Sequence, residues 1–314
     1  MVTPKRAEVA LVIGRAWGQM ELLFVSRLMG TMAWRDWRCK DMRWLMGLLA
    51  IIAVGNLAAY TNQAIQTSAI DPAANLKDFQ AIEFRRYTIK PGGRDNFTRY
   101  FETYFPGAIE QAGAITAGSF HERKNQNGFT WIRGFHTIEA RPVANAAFYS
   151  GPVWKEHKKT ANDLIDDSDN VMLLGPLGAE RGIRILPDVD PVTEASGAQG
   201  VVVAQIFAVK ADSVEAFAQD AEPAFAAYRV AGAREAGVLV TLGVKNIYPQ
   251  LPVRTDGPYL VWLGILKDNQ MLETEFTPAA ERSLPSLTAT GLLRGAPETV
   301  VLDPTPRSRL RWLP

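Results

Sequence analysis

Cysteine is almost absent from this sequence. The single Cys39 lies near the N-terminus, so the rest of the chain can form neither an internal disulfide nor a cysteine-based zinc site. Histidine is nearly as scarce: His121, His136 and His157 are the three present. No His-x3-His or His-Glu-x-x-His spacing joins them, which argues against a metal centre. An excess of one charge is missing as well, with a formal net charge of +1. No basic cluster interleaved with aromatic residues marks a nucleic-acid surface, so no nucleic-acid partner is expected. Nor is there a Gly-x-Ser-x-Gly elbow, a P-loop or a dinucleotide fingerprint, and no cofactor is expected. The glycines of "RVAGAREAG" are read as lying in or at the end of a helix.

Charge also disappears locally. From Trp44 to Ile70 no residue is charged, and the preceding residues carry eight basic side chains against four acidic ones. A basic flank, an apolar run and the small residues Thr67–Ala69 fit an export signal. The run approaches the roughly 20 residues that span a bilayer, so an uncleaved membrane tether through residues 44–60 is the alternative. Met42-Arg43 makes a compact signal start. Residues 1–41 are therefore read as an upstream extension and 42–70 as a signal peptide or membrane anchor. The protein is expected to be exported, periplasmic or extracellular, or membrane-anchored.

The ordered part is expected from about Gln80. "AIEFRRYTIKPGG" reads as a strand ended by Pro91-Gly92-Gly93. "RDNFTRYFETYFPGAIEQAG" has helical spacing that returns Phe97, Phe101, Tyr104 and Ile109 to one side, with Pro106 bending or dividing the helix. "AITAGSFHERK" and "FTWIRGF" are strands around a two-residue turn at Asn127-Gly128. Helices interrupted at Gly151-Pro152 follow, then the strand "NVMLLGPL". The order β-α-β-β-α-β is that of a ferredoxin-like unit. It recurs after the linker: "GVVVAQIFAVK", a helix over "DSVEAFAQDAEPAFAAYRVAGAREAG" capped by Asp212 or Ser213, "VLVTLGV", "PYLVWLGIL", a helical stretch from Asn269 and "ETVVLDP". Residues 80–186 are repeat 1, 187–199 the linker and 200–314 repeat 2. The fold class is α+β, with two tandem ferredoxin-like units whose open sheet faces close on each other as an α+β barrel.

One strand carries the functional question. In "FTWIRGF" the alternation of side chains puts Phe129, Trp131, Arg133 and Phe135 on one face. The two-residue turn pairs Lys124 with Trp131, Glu122 with Arg133 and Phe120 with Phe135, giving a cation–π contact, an ion pair and an aromatic pair. Glu83, Arg85 and Tyr87 share a face of the first strand. The mixed sets are expected to line the barrel interior, and Ile82, Phe84 and Ile132 to meet the helices. The charged groups then admit two interpretations: a satisfied ionic network that fixes register, or the rim of a pocket walled by Tyr87, Trp131 and Phe135, where an arginine holds an anionic or carbonyl group. His121 and His136 are expected on the opposite faces.

These residues resemble the NIPSNAP family. "EFRRYTIKPG" is similar to its opening motif through Glu83, Arg85, Tyr87, Pro91 and Gly92. "FTWIRGF" and "FYSGPVWKEHKKTAN" resemble its middle signature through Trp131, Arg133, Phe135, Tyr149, Trp154, Lys155 and His157. The resemblance implies a dimeric α+β-barrel fold, here closed within one chain. Repeat 2 has Val203 and Gln205 where repeat 1 has Glu83 and Arg85, which puts the candidate ligand-binding residues in repeat 1: Glu83, Arg85, Tyr87, Glu122, Trp131, Arg133, Phe135, Tyr149, Trp154 and His157. The favoured function is binding of a small, partly apolar molecule. The alternatives are a cofactor-independent monooxygenase- or isomerase-like enzyme on an aromatic or quinone-type substrate, with Tyr87, Arg133 and His157 as its polar groups, and a structural or protein-interaction module.

Overall fold

A computed structural model describes residues 79–313. The expected extension and signal or anchor segment lie outside the described residues, among which no helix is long and apolar enough to cross a membrane. Repeat 1 runs β1 (Ala81–Ile89), α1 (Arg94–Gln111), β2 (Ile115–Glu122), β3 (Gly128–Phe135), α2 (Ala140–Ser150), α3 (Pro152–Leu164) and β4 (Ile165–Pro176). Repeat 2 runs β5 (Val201–Ala208), α4 (Val214–Val230), β6 (Arg234–Thr241) and β7 (Tyr259–Leu266). It continues with a short α5 (Asn269–Met271), a π-helical turn (Leu272–Phe276), α6 (Thr277–Ala289) and β8 (Glu298–Pro304).

Local chemistry accounts for the boundaries. Gly92, at φ 74°, turns the chain out of β1, where a side chain would be strained. Helix α1 buries Phe97, Phe101, Phe105 and Ile109, a stripe that advances by four and leaves the expected Tyr104 at 38% exposed. It also continues through Pro106 as one helix. Proline removes the bond to the carbonyl four residues back, here that of Glu102, and Arg307 Nη1 donates to that carbonyl instead. Repeat 2 starts its second strand earlier than the hydrophobic run suggests. Helix α4 ends at Val230 because Gly232 takes φ 89°, so Arg234–Gly237 are strand and not helix. Ser213 does occupy the N-cap position of α4, but its hydroxyl donates to the Ala211 carbonyl and does not cap the helix.

The strands close into one antiparallel barrel in the order β1-β3-β2-β8-β5-β7-β6-β4. Each repeat contributes four adjacent strands, and two seams join them. At β2–β8, Phe120, His121 and Glu122 face Pro304, Asp303 and Leu302. At β4–β6, Leu174, Gly175 and Pro176 face Thr241, Val240 and Leu239. The barrel interior is apolar and contributed by both halves: Ile82, Phe84, Phe120, Ile132, Met172, Leu174, Val202, Ala204, Leu239, Val261 and Leu263 meet there, with Ile183 and Leu310 packed among them. Outside the barrel each repeat has its own core between sheet and helices. In repeat 1 this core joins Tyr87, Phe129, Trp131 and Phe135 to Phe97, Phe101, Phe105 and Phe148.

That partition inverts the expected faces. Arg133 and its aromatic neighbours look toward the helices of their own repeat, and Ile82, Phe84 and Ile132 fill the barrel. An eight-stranded barrel leaves only enough width for packed side chains, and mostly aliphatic residues with Phe84 and Phe120 fill it. Tyr87, Phe129, Trp131 and Phe135, with the guanidinium groups of Arg85 and Arg133, take the space under the helices.

The hairpin register also differs from expectation. Ser119 faces Trp131, Phe120 faces Thr130 and His121 faces Phe129, so His121 lies on the aromatic side, where its Nε2 meets the Thr98 hydroxyl at 2.7 Å. A β-bulge between Thr116 and Gly118 then sets Thr116 against Arg133. The turn at Asn127-Gly128 is replaced by a longer loop in which Asn125 accepts from the backbone N–H groups of Asn127 and, through its carbonyl, of Gly128. Gly128 serves close approach: a Cβ there would stand 2.8 Å from that of Glu122. Lys124 sits exposed in this loop, away from Trp131.

Candidate functional site

The site grows from one buried carboxylate. Glu83 on β1 is fully buried and takes three guanidinium groups. Its Oε2 accepts from Arg85 Nη1 at 2.8 Å and from Arg133 Nε and Nη2 at 3.0 and 2.5 Å. Its Oε1 accepts from Arg141 Nε at 2.6 Å. Pairing explains the meeting of the first three, since Glu83 faces Arg133 and Arg85 faces Trp131 across β1 and β3. Arg141 arrives from α2. Burial alone would raise the Glu83 carboxyl, but Arg133, Arg85 and Arg141 outweigh it and hold the group well below the usual carboxylate range. Burial likewise opposes charge on Arg85, yet Tyr87, Glu83 and Tyr149 raise its pKa above the ordinary value.

Aromatic rings sheathe these charges. The Arg133 guanidinium carbon stands 5.1 Å from the Trp131 ring centroid and 5.2 Å from that of Phe135. Arg85 lies 5.4 Å from both Tyr87 and Trp131. The expected cation–π partner of Trp131 is thus supplied by arginines. Arg85 Nε also donates to the Tyr87 hydroxyl at 3.0 Å.

Beside Arg85 the space under the helices is not filled. A cavity of about 150 Å³ opens between β1, β3 and the helices, walled by Phe97, Phe101, Phe105, Phe148 and Trp154, with Arg85, Tyr87, Trp131 and Tyr149 presenting polar atoms. Leu251, from the loop between β6 and β7 of repeat 2, also reaches the wall. That loop is organised by Asn246, whose Oδ1 accepts from Arg141 Nη1 at 2.8 Å and from the Tyr248 backbone N–H, while its Nδ2 donates to the Leu251 carbonyl.

Of the expected residues, Arg85, Tyr87, Trp131, Tyr149 and Trp154 meet at this cavity. Glu83, Arg133 and Phe135 stand behind them as ion partners and packing. Glu122 is elsewhere. It lies on the barrel side, where Arg86 Nε and Nη2 grip it at 2.7 and 2.9 Å and the Thr130 hydroxyl donates at 2.7 Å. Arg86 also reaches Glu298, tying repeat 1 to β8. The expected Glu122–Arg133 pair does not form, because the observed register points the two side chains to opposite faces of the sheet. His157 is not in the wall either: its Nδ1 meets the Tyr100 hydroxyl at 2.6 Å and its ring stacks on Tyr104 at 3.8 Å.

Sequence reasoning missed Arg141 and Asn145. "ARPVANAAFY" reads only as part of the helices before Gly151-Pro152, yet Arg141, Ala144, Asn145 and Phe148 form its buried stripe. Helical spacing back from Phe148 is the signal that finds them. Five polar atoms in this part of repeat 1 are buried without a partner: Thr116 Oγ1, Trp131 Nε1, Arg141 Nη2 and both amide atoms of Asn145.

Repeat 2 is an internal control. Val203 faces Gly264 and Gln205 faces Trp262, in the register where repeat 1 has Glu83 with Arg133 and Arg85 with Trp131. Charge is gone from all three positions. Trp262 lies over Gly264, so close that a Cβ there would stand 2.2 Å from the indole, and Phe225, Tyr228 and Phe276 pack around it.

Residues 82–176 match the NIPSNAP family model. No curated protein matches the sequence. Among solved structures, an anthrone oxidase-like protein aligns at 13% identity and a TM-score of 0.49, over 74% of this chain and 94% of its own. A NIPSNAP-like domain protein from Burkholderia xenovorans aligns at 21% identity and a TM-score of 0.30, over 32% of this chain and 88% of its own. A NIPSNAP family protein from Agrobacterium tumefaciens does so at 19% identity and 0.29, over 32% and 93%. The matched residues begin in β1 and end with β4, and the first repeat of this chain is a NIPSNAP domain.

Proposed function

We propose that this barrel protein binds a small, partly apolar molecule in the cavity of repeat 1, and that its N-terminal segment exports it or tethers it to a membrane. The observation that carries the binding reading is the cavity itself, ring-walled, about 150 Å³ in volume and set against a buried arginine. Protein interiors are otherwise close-packed, and an apolar cavity of roughly this size takes a benzene-sized guest. The counterpart in repeat 2 supports it, since there Trp262 lies over Gly264 and packs with Phe225, Tyr228 and Phe276. Among the described residues the wall offers hydroxyls, an amide and a guanidinium, but no carboxylate or imidazole. Proton transfer in catalysis falls most often to histidine, and otherwise to carboxylates among other groups, so the wall favours holding a molecule over converting it. The basic flank and charge-free stretch before residue 71 support export or tethering.

Native mass spectrometry of the protein purified from its own host tests the binding reading, with Ala161→Phe as the control. Ala161 lies in the wall, and a phenyl ring there occupies the cavity. The expected result is a small molecule retained by the natural chain and lost from the folded variant. Equal retention by both would overturn the proposal.

A further inference from the structure

We infer that the molecule held in repeat 1 is a small planar anion, an aromatic ring or ring-sized conjugated body bearing one oxyanion, a carboxylate in the simplest case. The inference rests on the binding reading above and adds the ligand's charge. Three guanidinium groups, Arg85, Arg133 and Arg141, share a single carboxylate, Glu83, and none of the four is more than 1% exposed. Arginine does not give up its proton in a protein, so the cluster buries two uncompensated positive charges. Buried charge is costly unless a counter-charge stands beside it, and no other carboxylate among the described residues bonds to these arginines.

The hydrogen-bond inventory points the same way. Arg85 commits Nε to Tyr87 and Nη1 to Glu83, and its Nη2 has no partner among the described residues. Tyr87 accepts from Arg85, which leaves its own O–H free to donate. The Tyr149 hydroxyl has no hydrogen-bond partner among the described residues, and removal from water pushes its phenol up despite Arg133 and Arg85, so it too is a donor. All three side chains line the cavity. Donors converge there and no carboxylate meets them, which is the arrangement that receives an oxyanion. Trp131 Nε1, also on a wall residue, is buried without an acceptor. In repeat 2 the corresponding Trp262 Nε1 donates to Glu235 Oε2 at 3.0 Å. Glu235 faces Gly264 as Thr116 faces Arg133, and the Thr116 hydroxyl is itself unpaired. At the position where repeat 2 has the carboxylate of Glu235, the repeat with the cavity has the hydroxyl of Thr116.

Calorimetric titration of the folded chain with benzoate and with benzamide, its neutral isostere, tests this. Benzoate should bind at least about tenfold more tightly, a difference of about 1.4 kcal/mol. Arg85→Gln, which installs the repeat 2 residue, should abolish that preference; Tyr149→Phe, which removes one donor and no charge, should weaken benzoate several-fold and stands in if Arg85→Gln does not fold. Benzamide binding as tightly as benzoate, or a preference that survives both substitutions, would overturn the anionic assignment and leave the cavity as a binding site. Binding of neither compound would overturn the assignment and count against the binding reading as well.

Discussion

Glu83 is the residue on which the charge balance of repeat 1 turns. Replacing it with glutamine leaves three buried guanidinium groups without their shared counter-charge, and removing one partner of a buried ionic cluster costs about 3–5 kcal/mol. Urea unfolding of Glu83→Gln should show a loss of that order; a loss below about 1 kcal/mol would mean the arginines are compensated elsewhere. The pH dependence follows from the same group. Its folded pKa lies below the unfolded value of about 4.3, so its contribution is fully present above that pH and is lost as pH falls toward the folded value. Stability should therefore be insensitive to this group from neutral pH to about pH 5 and decline only in stronger acid. The arginines themselves were legible in the sequence, as a charge inside an aromatic strand. Arg141 was not, because its partner lies 58 positions away and the one local sign of its burial is the helical spacing back from Phe148.

At the scale of elements, order was readable and facing was not. Turn residues and the change from strand to helix spacing mark nearly every element of both repeats, including the break at Gly151-Pro152. Strand β3, however, is buried at all eight positions, so alternation offers no polar side to fix which face meets the helices. The hairpin register failed with it, since a different loop moves side chains to the other face. Glycines expose what the packing demands. Gly264→Ala would drive a methyl into Trp262, and overpacking of this kind costs about 1–3 kcal/mol. The loss should appear in thermal unfolding, with the tryptophan emission of the folded state altered. The loop from repeat 2 gives another test. Asn246→Ala removes an acceptor from Arg141 and a donor to Leu251, at a cost of about 1–3 kcal/mol for buried partners left unmade. Hydrogen exchange in residues 245–254 should accelerate markedly more than in β1 and β3; unchanged exchange there would show that the loop holds its place without Asn246.

The described residues form a closed barrel with unequal joints. The β1–β3 ladder pairs eight residues, whereas each seam between repeats pairs three. The segment after β8 reinforces one seam: Thr305 N–H donates to the Ser119 carbonyl, Leu310 N–H to that of Ala117, and the Glu102 carboxylate receives both the Thr305 hydroxyl and the Arg307 backbone N–H. Truncation after Pro304 should therefore open the β2–β8 seam first. Exchange of the Phe120–Glu122 amides should rise ahead of that in β1 and β3, since local opening follows the weakest contacts; uniform acceleration would indicate that the barrel unfolds only as a whole. Joining two like halves through one backbone has an evolutionary corollary. In a homodimer every substitution is imposed twice, so a binding site cannot be abandoned on one side alone. Here Val203, Gln205 and Gly264 stand where repeat 1 has Glu83, Arg85 and Arg133. On the proposed binding reading, with the cavity in repeat 1, titration of the intact chain should saturate at a single equivalent of guest.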